Sequence, residues 1–151
     1  MHNRKYYLSL LLKSDIETKF IFRAGFWAPG IDKKTARNEY FNNMEENLFT
    51  FCYRGAGNFS YRFYETLMMG RIPILVNTDC VIPFWNIINK ENIGIIIDEN
   101  DLKNNKKDFI TEITNYYNKH KNNLIDIQKN NRKIWEQYFS PIGYLQNINN
   151  L

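Results

Sequence analysis

Residues 51–84 read FCYRGAGNFSYRFYETLMMGRIPILVNTDCVIPF, and the order of segments within them sets the architecture of the chain. An apolar run leads into a short loop with two glycines, the loop opens a helix, and the helix stops at Gly70 before a second apolar run. This order predicts a strand, a tight loop, a helix and a strand. In α/β proteins, such a loop leaves the N-terminus of the helix free to bind an anion such as phosphate.

The flanking segments continue the same alternation of strands and helices. Helices are predicted over residues 4–13, 33–46, 60–69, 108–119 and 124–139, and strands over 19–22, 48–53, 72–76 and 93–97. The remaining segments are predicted as a loop over 24–32, a loop or short helix over 81–89, a polar connection over 98–107 and a peripheral tail over 140–151. We therefore predict an α/β fold, a Rossmann-like parallel sheet with helices on both faces, forming one domain over residues 1–151.

Composition and charge exclude several classes of protein. The chain has 151 residues and a net charge of +4, which suits an anionic ligand but is too small and too scattered to indicate nucleic-acid binding. Cys52 and Cys80 form no metal-binding spacing, and Cys52 is predicted to be a buried apolar residue. His2 and His120 are the only histidines, which argues against a histidine metal site and against a Ser/His or Cys/His catalytic pair.

The sequence shows no signal peptide and no run of apolar residues long enough to cross a bilayer. We therefore expect a cytoplasmic protein without a membrane span. A location in the Golgi lumen is expected instead if a membrane anchor precedes this chain.

Arginine replaces lysine around the glycine loop. The chain has thirteen lysines and seven arginines, yet no lysine lies between Lys34 and Lys90. The arginines in or just before this window are Arg23, Arg37, Arg54, Arg62 and Arg71. A guanidinium can bind phosphate through two parallel hydrogen bonds, whereas an ammonium cannot, so this usage favours a geometry-dependent anion site. Structural ion pairs are the alternative role for any one of these arginines.

The loop carries residues suited to a diphosphate. Gly55 and Gly57 allow the backbone close to a ligand and permit positive φ. Asn58 or Ser60 can cap the helix, and Arg62 lies on its first turn within reach of a diphosphate.

Glu65 lies three residues after Arg62, on roughly the same side of the helix. A carboxylate repels phosphate but accepts hydrogen bonds from sugar hydroxyls, which is one function for this position. The alternative is a surface ion pair between the two side chains, worth a few tenths of a kcal/mol.

The two glycines also permit a dinucleotide-binding interpretation, because Asp79 ends the next strand about 20 residues later. Ser60 replaces the third glycine of that fingerprint, and the charged Arg54 precedes the first glycine. The loop is not a Walker loop, since no Gly-Lys-Ser/Thr follows it.

As a whole, this segment resembles the exostosin-like glycosyltransferases. Their signature has the form RG-x-G-x-x-S-x-R-x-x-E, then a helix, then G-x-I-P-V or G-x-I-P-I, an acidic turn and a Pro-Phe pair. The matching residues here are Arg54, Gly55, Gly57, Ser60, Arg62, Glu65, Gly70, Ile72–Ile74, Asp79 and Pro83–Phe84. Weaker similarity extends to Phe20–Arg23 and to Ile134–Tyr138, which resembles the closing helix of the family.

The resemblance implies the C-terminal, donor-binding lobe of a two-lobed glycosyltransferase of the GT-B type. Such a lobe binds a nucleotide-diphospho-sugar, expected here to be a UDP-sugar, with no cofactor and no obligatory metal. The predicted donor site consists of Arg23, Arg54, Gly55, Gly57, Asn58, Ser60, Arg62, Glu65, Thr78 and Asp79. The resemblance implies that the glycines and Ser60 would frame the diphosphate, Arg62 and Arg23 would neutralise it, Glu65 would hold ribose or sugar hydroxyls, and Thr78 and Asp79 would border the nucleotide.

Residues 1–50 are too few to form the N-terminal lobe that binds the acceptor and usually supplies the catalytic base in that family. We therefore expect a fragment or a donor-binding half that works with a separate lobe, and we assign no catalytic residue. The expected partners are the nucleotide-sugar and a glycan acceptor, but not nucleic acid. An NAD(P)-binding Rossmann oxidoreductase domain and a non-catalytic nucleotide-binding module are the alternatives.

Overall fold

A computed structural model describes residues 3–23, 25 and 29–150 of the chain, without the side chain of Asn150. Within this part, three parallel strands form one sheet in the order β1-β2-β3: β1 is Phe49–Cys52, β2 is Ile72–Asn77 and β3 is Ile95–Asp98. The central strand β2 is buried along five of its six residues, as expected for a parallel strand covered on both faces. The predicted α/β architecture is confirmed.

Eight α-helices surround this sheet in the described part of the chain. They are α1 (Arg4–Lys13), α2 (Lys33–Glu45), α3 (Tyr61–Met68), α4 (Trp85–Ile88), α5 (Glu99–Lys103), α6 (Phe109–His120), α7 (Leu124–Ile134) and α8 (Pro141–Asn147). A π-helical turn over Trp135–Phe139 joins α7 to α8, and a 3₁₀ turn covers Ile148–Asn150. None of these helices is long and apolar enough to cross a membrane.

Two apolar clusters cover opposite faces of the sheet, because successive side chains of a strand point to opposite sides. One contains the β2 residues Ile74 and Val76, and its buried members from α1, β3, α5 and α6 are Tyr7, Leu11, Ile95, Ile97, Leu102, Phe109 and Ile113. The other contains Leu75 of β2, and its remaining buried members are Cys52, Phe63, Leu67, Ile82, Phe84, Ile88, Ile93 and Ile134. Helices therefore pack on both faces of the sheet, as predicted.

The turn between α3 and β2 follows from two residues. Gly70 has a φ of +60°, the left-handed conformation that ends a helix, and its N–H donates to the carbonyl of Leu67. Pro73 lies at the second position of β2, opposite Thr50 of β1 and before the pairing with β3 begins at Ile74. A proline is tolerated there because its missing N–H is not needed for that ladder.

The strand predicted over Lys19–Phe22 is wrong. The segment makes no ladder with β1, and a cavity of about 450 Å³ lies between the two, lined by both of them and by part of α2. The carbonyl of Lys19 accepts a hydrogen bond from the Asn43 side chain at 3.0 Å, and its ammonium pairs with Glu46. Polar groups of Lys19 thus bond to α2 and to the residue that follows it. The alternation of apolar residues does not by itself form a strand, because no neighbouring strand pairs with the segment.

Two further boundaries differ from the sequence predictions. The polar connection predicted over 98–107 contains α5, because Asp98 caps a helix by accepting the N–H of Asn100 at 2.7 Å. The helix predicted over 124–139 is α-helical only to Ile134 and π-helical beyond it. Part of the loop predicted over 24–32 lies outside the described residues.

Candidate functional site

The predicted site residues gather at the carboxyl ends of β1 and β2, where parallel sheets bind their ligands. Asn58, in the loop after β1, donates from Nδ2 to the carbonyl of Asp79 at 3.1 Å and accepts a hydrogen bond from Oγ1 of Thr78 at 2.6 Å. Asp79 presents its carbonyl from a left-handed conformation with a φ of +63°. These bonds join the glycine loop to the turn after β2 across 20 residues of sequence.

The glycine loop is closed by a hydrogen bond from the N–H of Gly55 to the carbonyl of Phe59 at 3.0 Å. Neither Gly55 nor Gly57 has a positive φ, so the loop does not use the left-handed backbone that glycine permits. A Cβ at position 57 would lie 2.6 Å from Cε1 of Phe59, so a larger residue there would have to displace this exposed ring.

Helix α3 begins without a side-chain cap. Ser60 occupies the N-cap position with an extended backbone and is buried, but its hydroxyl does not bond to the helix N–H groups. Asn58 does not cap the helix either, because its amide is already bonded to Thr78 and Asp79. The predicted side-chain cap is therefore wrong. The Phe63 N–H bonds to the Ser60 carbonyl, but those of Tyr61 and Arg62 bond to no described acceptor and keep the free donors and dipole that attract an anion.

Arg62 and Glu65 do not pair directly, and Tyr40 of α2 connects them. The Tyr40 hydroxyl donates to Oε2 of Glu65 at 2.5 Å and accepts from Nε of Arg62 at 3.3 Å, while the Arg62 guanidinium lies 5.1 Å from the Tyr40 ring centre. Burial raises the pKa of Tyr40 to about 12, so its hydroxyl stays protonated and donates at neutral pH. Among the described residues, Arg62 makes no ion pair, and its charge is available to a ligand.

The two other predicted arginines are placed differently. Arg23 forms an ion pair with Glu39 of α2 at 2.5 Å. Arg54 has an exposed side chain at the start of the glycine loop, and its carbonyl accepts a hydrogen bond from Nη2 of Arg4 at 2.9 Å. The contribution of each to a diphosphate site stays a prediction.

The Pro-Phe pair of the signature has a packing function. Phe84 adopts a left-handed conformation with a φ of +59° and is 2% exposed. Its ring centre lies 5.4 Å from that of Tyr138 and 5.6 Å from that of Tyr144. These ring contacts hold a conformation that is costly for a bulky residue, and they fix the chain beyond the Asp79 turn.

A buried carboxylate at the same edge of the sheet was missed by the sequence reasoning. Glu99 follows β3 directly, is 7% exposed and accepts hydrogen bonds from Tyr53 at 2.8 Å and from Tyr7 at 3.4 Å. Lys103 pairs with its other oxygen at 2.5 Å. The available signal was its position: Tyr53 follows β1 and Glu99 follows β3, and parallel strands end at one edge.

Glu99 makes the stability of this edge pH-dependent. Burial opposes its ionisation, but the hydrogen bonds from Lys103 and Tyr53 outweigh burial and lower its pKa below the ordinary 4.5. The charged form of Glu99 therefore stabilises the fold at pH values above 4.5, and this stabilisation is lost as the pH falls through the lowered pKa. We expect Glu99→Gln to lower the free energy of unfolding by about 1–3 kcal/mol at neutral pH, through loss of charged hydrogen bonds.

Urea denaturation of both proteins from about pH 7 to about pH 3 measures this effect, and the difference between them removes the contribution of other carboxylates. The two free energies should converge at the acid end. A constant difference over the whole range would show that the Glu99 charge is not the cause.

No group of three or more histidine, cysteine, aspartate or glutamate side chains that could hold a metal ion occurs in the described part of the chain. The site offers hydrogen-bond donors and positive charge from the α3 N–H groups and Arg62, and a hydrogen-bond acceptor in the carboxylate of Glu65.

Comparison with curated proteins finds relatives over part of the chain. The matched segment is 35% identical over 63 residues to the Arabidopsis thaliana protein named "Probable beta-1,4-xylosyltransferase IRX10L", covering 42% of this chain and 15% of that protein. It is 33% identical over 63 residues to "Probable glucuronosyltransferase Os02g0520750" of Oryza sativa subsp. japonica and to "Probable glucuronosyltransferase 47 A" of Physcomitrium patens, covering 42% of this chain and 14% of each. No solved structure matches the chain.

The family comparison covers more of the molecule. The model of the Exostosin GT47 domain matches residues 20–112, which include all three strands, the glycine loop, α3 and the Asp79 turn. These are the elements that form the candidate site, and they span more than half of the chain. The chain belongs to the Exostosin GT47 domain family.

Proposed function

We propose that this chain is the donor-binding part of a glycosyltransferase that transfers a sugar from a nucleotide-diphospho-sugar, a UDP-sugar, to a glycan acceptor. Family membership and the names of the relatives, xylosyltransferase and glucuronosyltransferase, support the reaction class. One structural observation carries the donor role: the N-terminus of α3, which has no side-chain cap, and Arg62, which has no described carboxylate partner, follow the loop that Asn58 joins to the Asp79 turn.

In this proposal the diphosphate binds at the N-terminus of α3. The helix N–H groups and the Arg62 guanidinium supply donors and positive charge where the leaving nucleoside diphosphate gains negative charge. This lowers the barrier by electrostatic stabilisation of the leaving group and requires no obligatory metal. Gly55 and Gly57 keep the loop narrow enough for backbone to approach the phosphates.

Glu65 binds hydroxyl groups of the ribose or of the transferred sugar. Tyr40 donates to its Oε2 and fixes the carboxylate, so the other oxygen can accept a hydrogen bond from a ligand hydroxyl. Thr78 and Asp79 border the nucleotide on the side of β2. The acceptor and its catalytic base are assigned to a separate lobe, so this chain alone should bind donor more readily than it transfers sugar.

The direct test is thermal unfolding with UDP, a UDP-sugar or NADH. A ligand at 100 times its dissociation constant stabilises the folded state by about 2.7 kcal/mol, which raises the Tm of a 150-residue domain by roughly 5–10 °C. We expect such an increase with UDP and the UDP-sugar and none with NADH. Protection by NADH alone would instead support the nicotinamide-binding interpretation.

A further inference from the structure

Arg4, the first residue of α1, lies at the beginning of the glycine loop although it is 50 residues away in sequence. Its Nη2 donates to the carbonyl of Tyr53 at 3.3 Å and to the carbonyl of Arg54 at 2.9 Å. These are the last two carbonyls before Gly55. Tyr53 is itself held by its hydroxyl on Glu99, so Arg4 is attached to a part of the loop that the core fixes.

The guanidinium of Arg4 has donors to spare. A guanidinium has five N–H groups, and the two carbonyls take those on Nη2. No described residue accepts from its Nε or Nη1, and Arg4 makes no ion pair with a described carboxylate. Three N–H donors of a planar, permanently charged group therefore remain for a ligand.

A second positive charge lies close to Arg4. Partial burial lowers the pKa of Arg4, and the charge of Arg62 lowers it further, so the two guanidiniums repel each other. Neither has a carboxylate partner among the described residues. Arg4 is held on the loop and Arg62 on Tyr40, and an anion that binds between or beside these two cations is attracted by both.

We propose that Arg4 is a diphosphate-binding residue, delivered by α1 to the glycine loop and acting with Arg62 on the same nucleoside diphosphate. The inference rests on the proposed function, and it adds a cation that lies outside the matched family segment, residues 20–112. Arg62 approaches from the N-terminus of α3 and Arg4 from the beginning of the loop. Together they place two guanidiniums around the phosphates.

A purely structural function for Arg4, as a link between α1 and the loop, makes a different prediction. Loss of a structural link would lower the stability of the free protein and weaken every ligand that uses the loop. Loss of a phosphate ligand weakens only ligands that carry phosphate. The ratio of UDP affinity to uridine affinity therefore separates the two functions.

The experiment measures dissociation constants of UDP, inorganic pyrophosphate and uridine by calorimetry for the wild type, Arg4→Gln, Arg4→Lys and the control Arg71→Gln. Arg71 precedes β2 at the opposite end of the sheet, and its replacement by glutamine removes the same charge as Arg4→Gln. We expect Arg4→Gln to weaken UDP and pyrophosphate about tenfold, with uridine unchanged. Arg4→Lys, which keeps the charge but not the planar fork, should lie between wild type and Arg4→Gln.

Unchanged UDP and pyrophosphate binding in Arg4→Gln, or an equal loss for UDP and uridine, would overturn the inference. If Arg4→Gln does not fold, the test uses Arg4→Lys. An affinity of Arg4→Lys for pyrophosphate equal to that of the wild type would also overturn the inference. Failure of the proposed function has a different result: the wild type would then bind UDP no more tightly than pyrophosphate.

Discussion

Replacement of Arg62 by alanine is expected to weaken UDP binding by about 30- to 100-fold while changing uridine binding less than threefold. Hydrogen bonds between charged groups contribute about 1.5–3 kcal/mol, and each 1.4 kcal/mol is a factor of ten in affinity. Arg62 is exposed, lies on the first turn of α3 and makes no ion pair with a described residue, so its charge is free to bind an anion.

Calorimetric titration of Arg62→Ala and Arg71→Ala with UDP and uridine measures this effect. Arg71→Ala removes the same charge from the amino end of β2, about 20 Å along the strand from the site, and should leave the ratio of the two affinities as in the wild type. Equal weakening of UDP and uridine by Arg62→Ala would remove Arg62 from the diphosphate site. Because the side chain is exposed, we expect the variant to lose less than about 1 kcal/mol of stability.

Replacement of Gly94 by alanine is expected to cost about 3–5 kcal/mol of folding free energy. Gly94 precedes β3 with a φ of +154°, and an added Cβ would lie 2.5 Å from the carbonyl oxygen of Pro73 and 2.9 Å from its Cδ. The new atom meets the backbone of the central strand, which cannot move without breaking its ladders, so steric overlap adds to the conformational penalty.

Gly30→Ala is the matched control, because Gly30 also has a positive φ of +84° but no atom of a described residue lies within 4 Å of the added Cβ. Only the conformational penalty of about 1 kcal/mol applies there. Thermal unfolding should therefore show a fall in Tm of roughly 6–20 °C for Gly94→Ala and only about 2–4 °C for Gly30→Ala. Similar values for the two variants would show that the contact with Pro73 does not limit the packing of β3.

Local patterns in the sequence predicted most of the elements that build the site. The bounds of α1 and α3, the stop at Gly70 and the three paired strands all agree with the structure to within a few residues. The prediction failed for Lys19–Phe22, where the pattern of side chains suits a strand. A strand also requires a partner backbone, and here Asn43 of α2 bonds to the carbonyl of Lys19.

The site shows the same division between local and distant interactions. Asn58, Thr78 and Asp79 were predicted to belong to one donor site, and hydrogen bonds join these three residues in the structure. From their spacing, Arg62 and Glu65 were predicted to share one side of a helix. Helical spacing gives no information on Tyr40, which lies on another helix 22 residues before Arg62 and bonds to both side chains.

The sequence by itself determined the chain's α/β architecture, its glycine loop and its family, since each depends on the order and spacing of neighbouring residues. Tertiary structure alone decided which charges are paired: Arg23 with Glu39, Glu99 with Tyr53 and Lys103, and Arg4 on the carbonyls of the loop. Such pairing depends on distances of a few ångströms between segments up to 50 residues apart. Packing of the helices onto the sheet sets those distances, and no local pattern contains them.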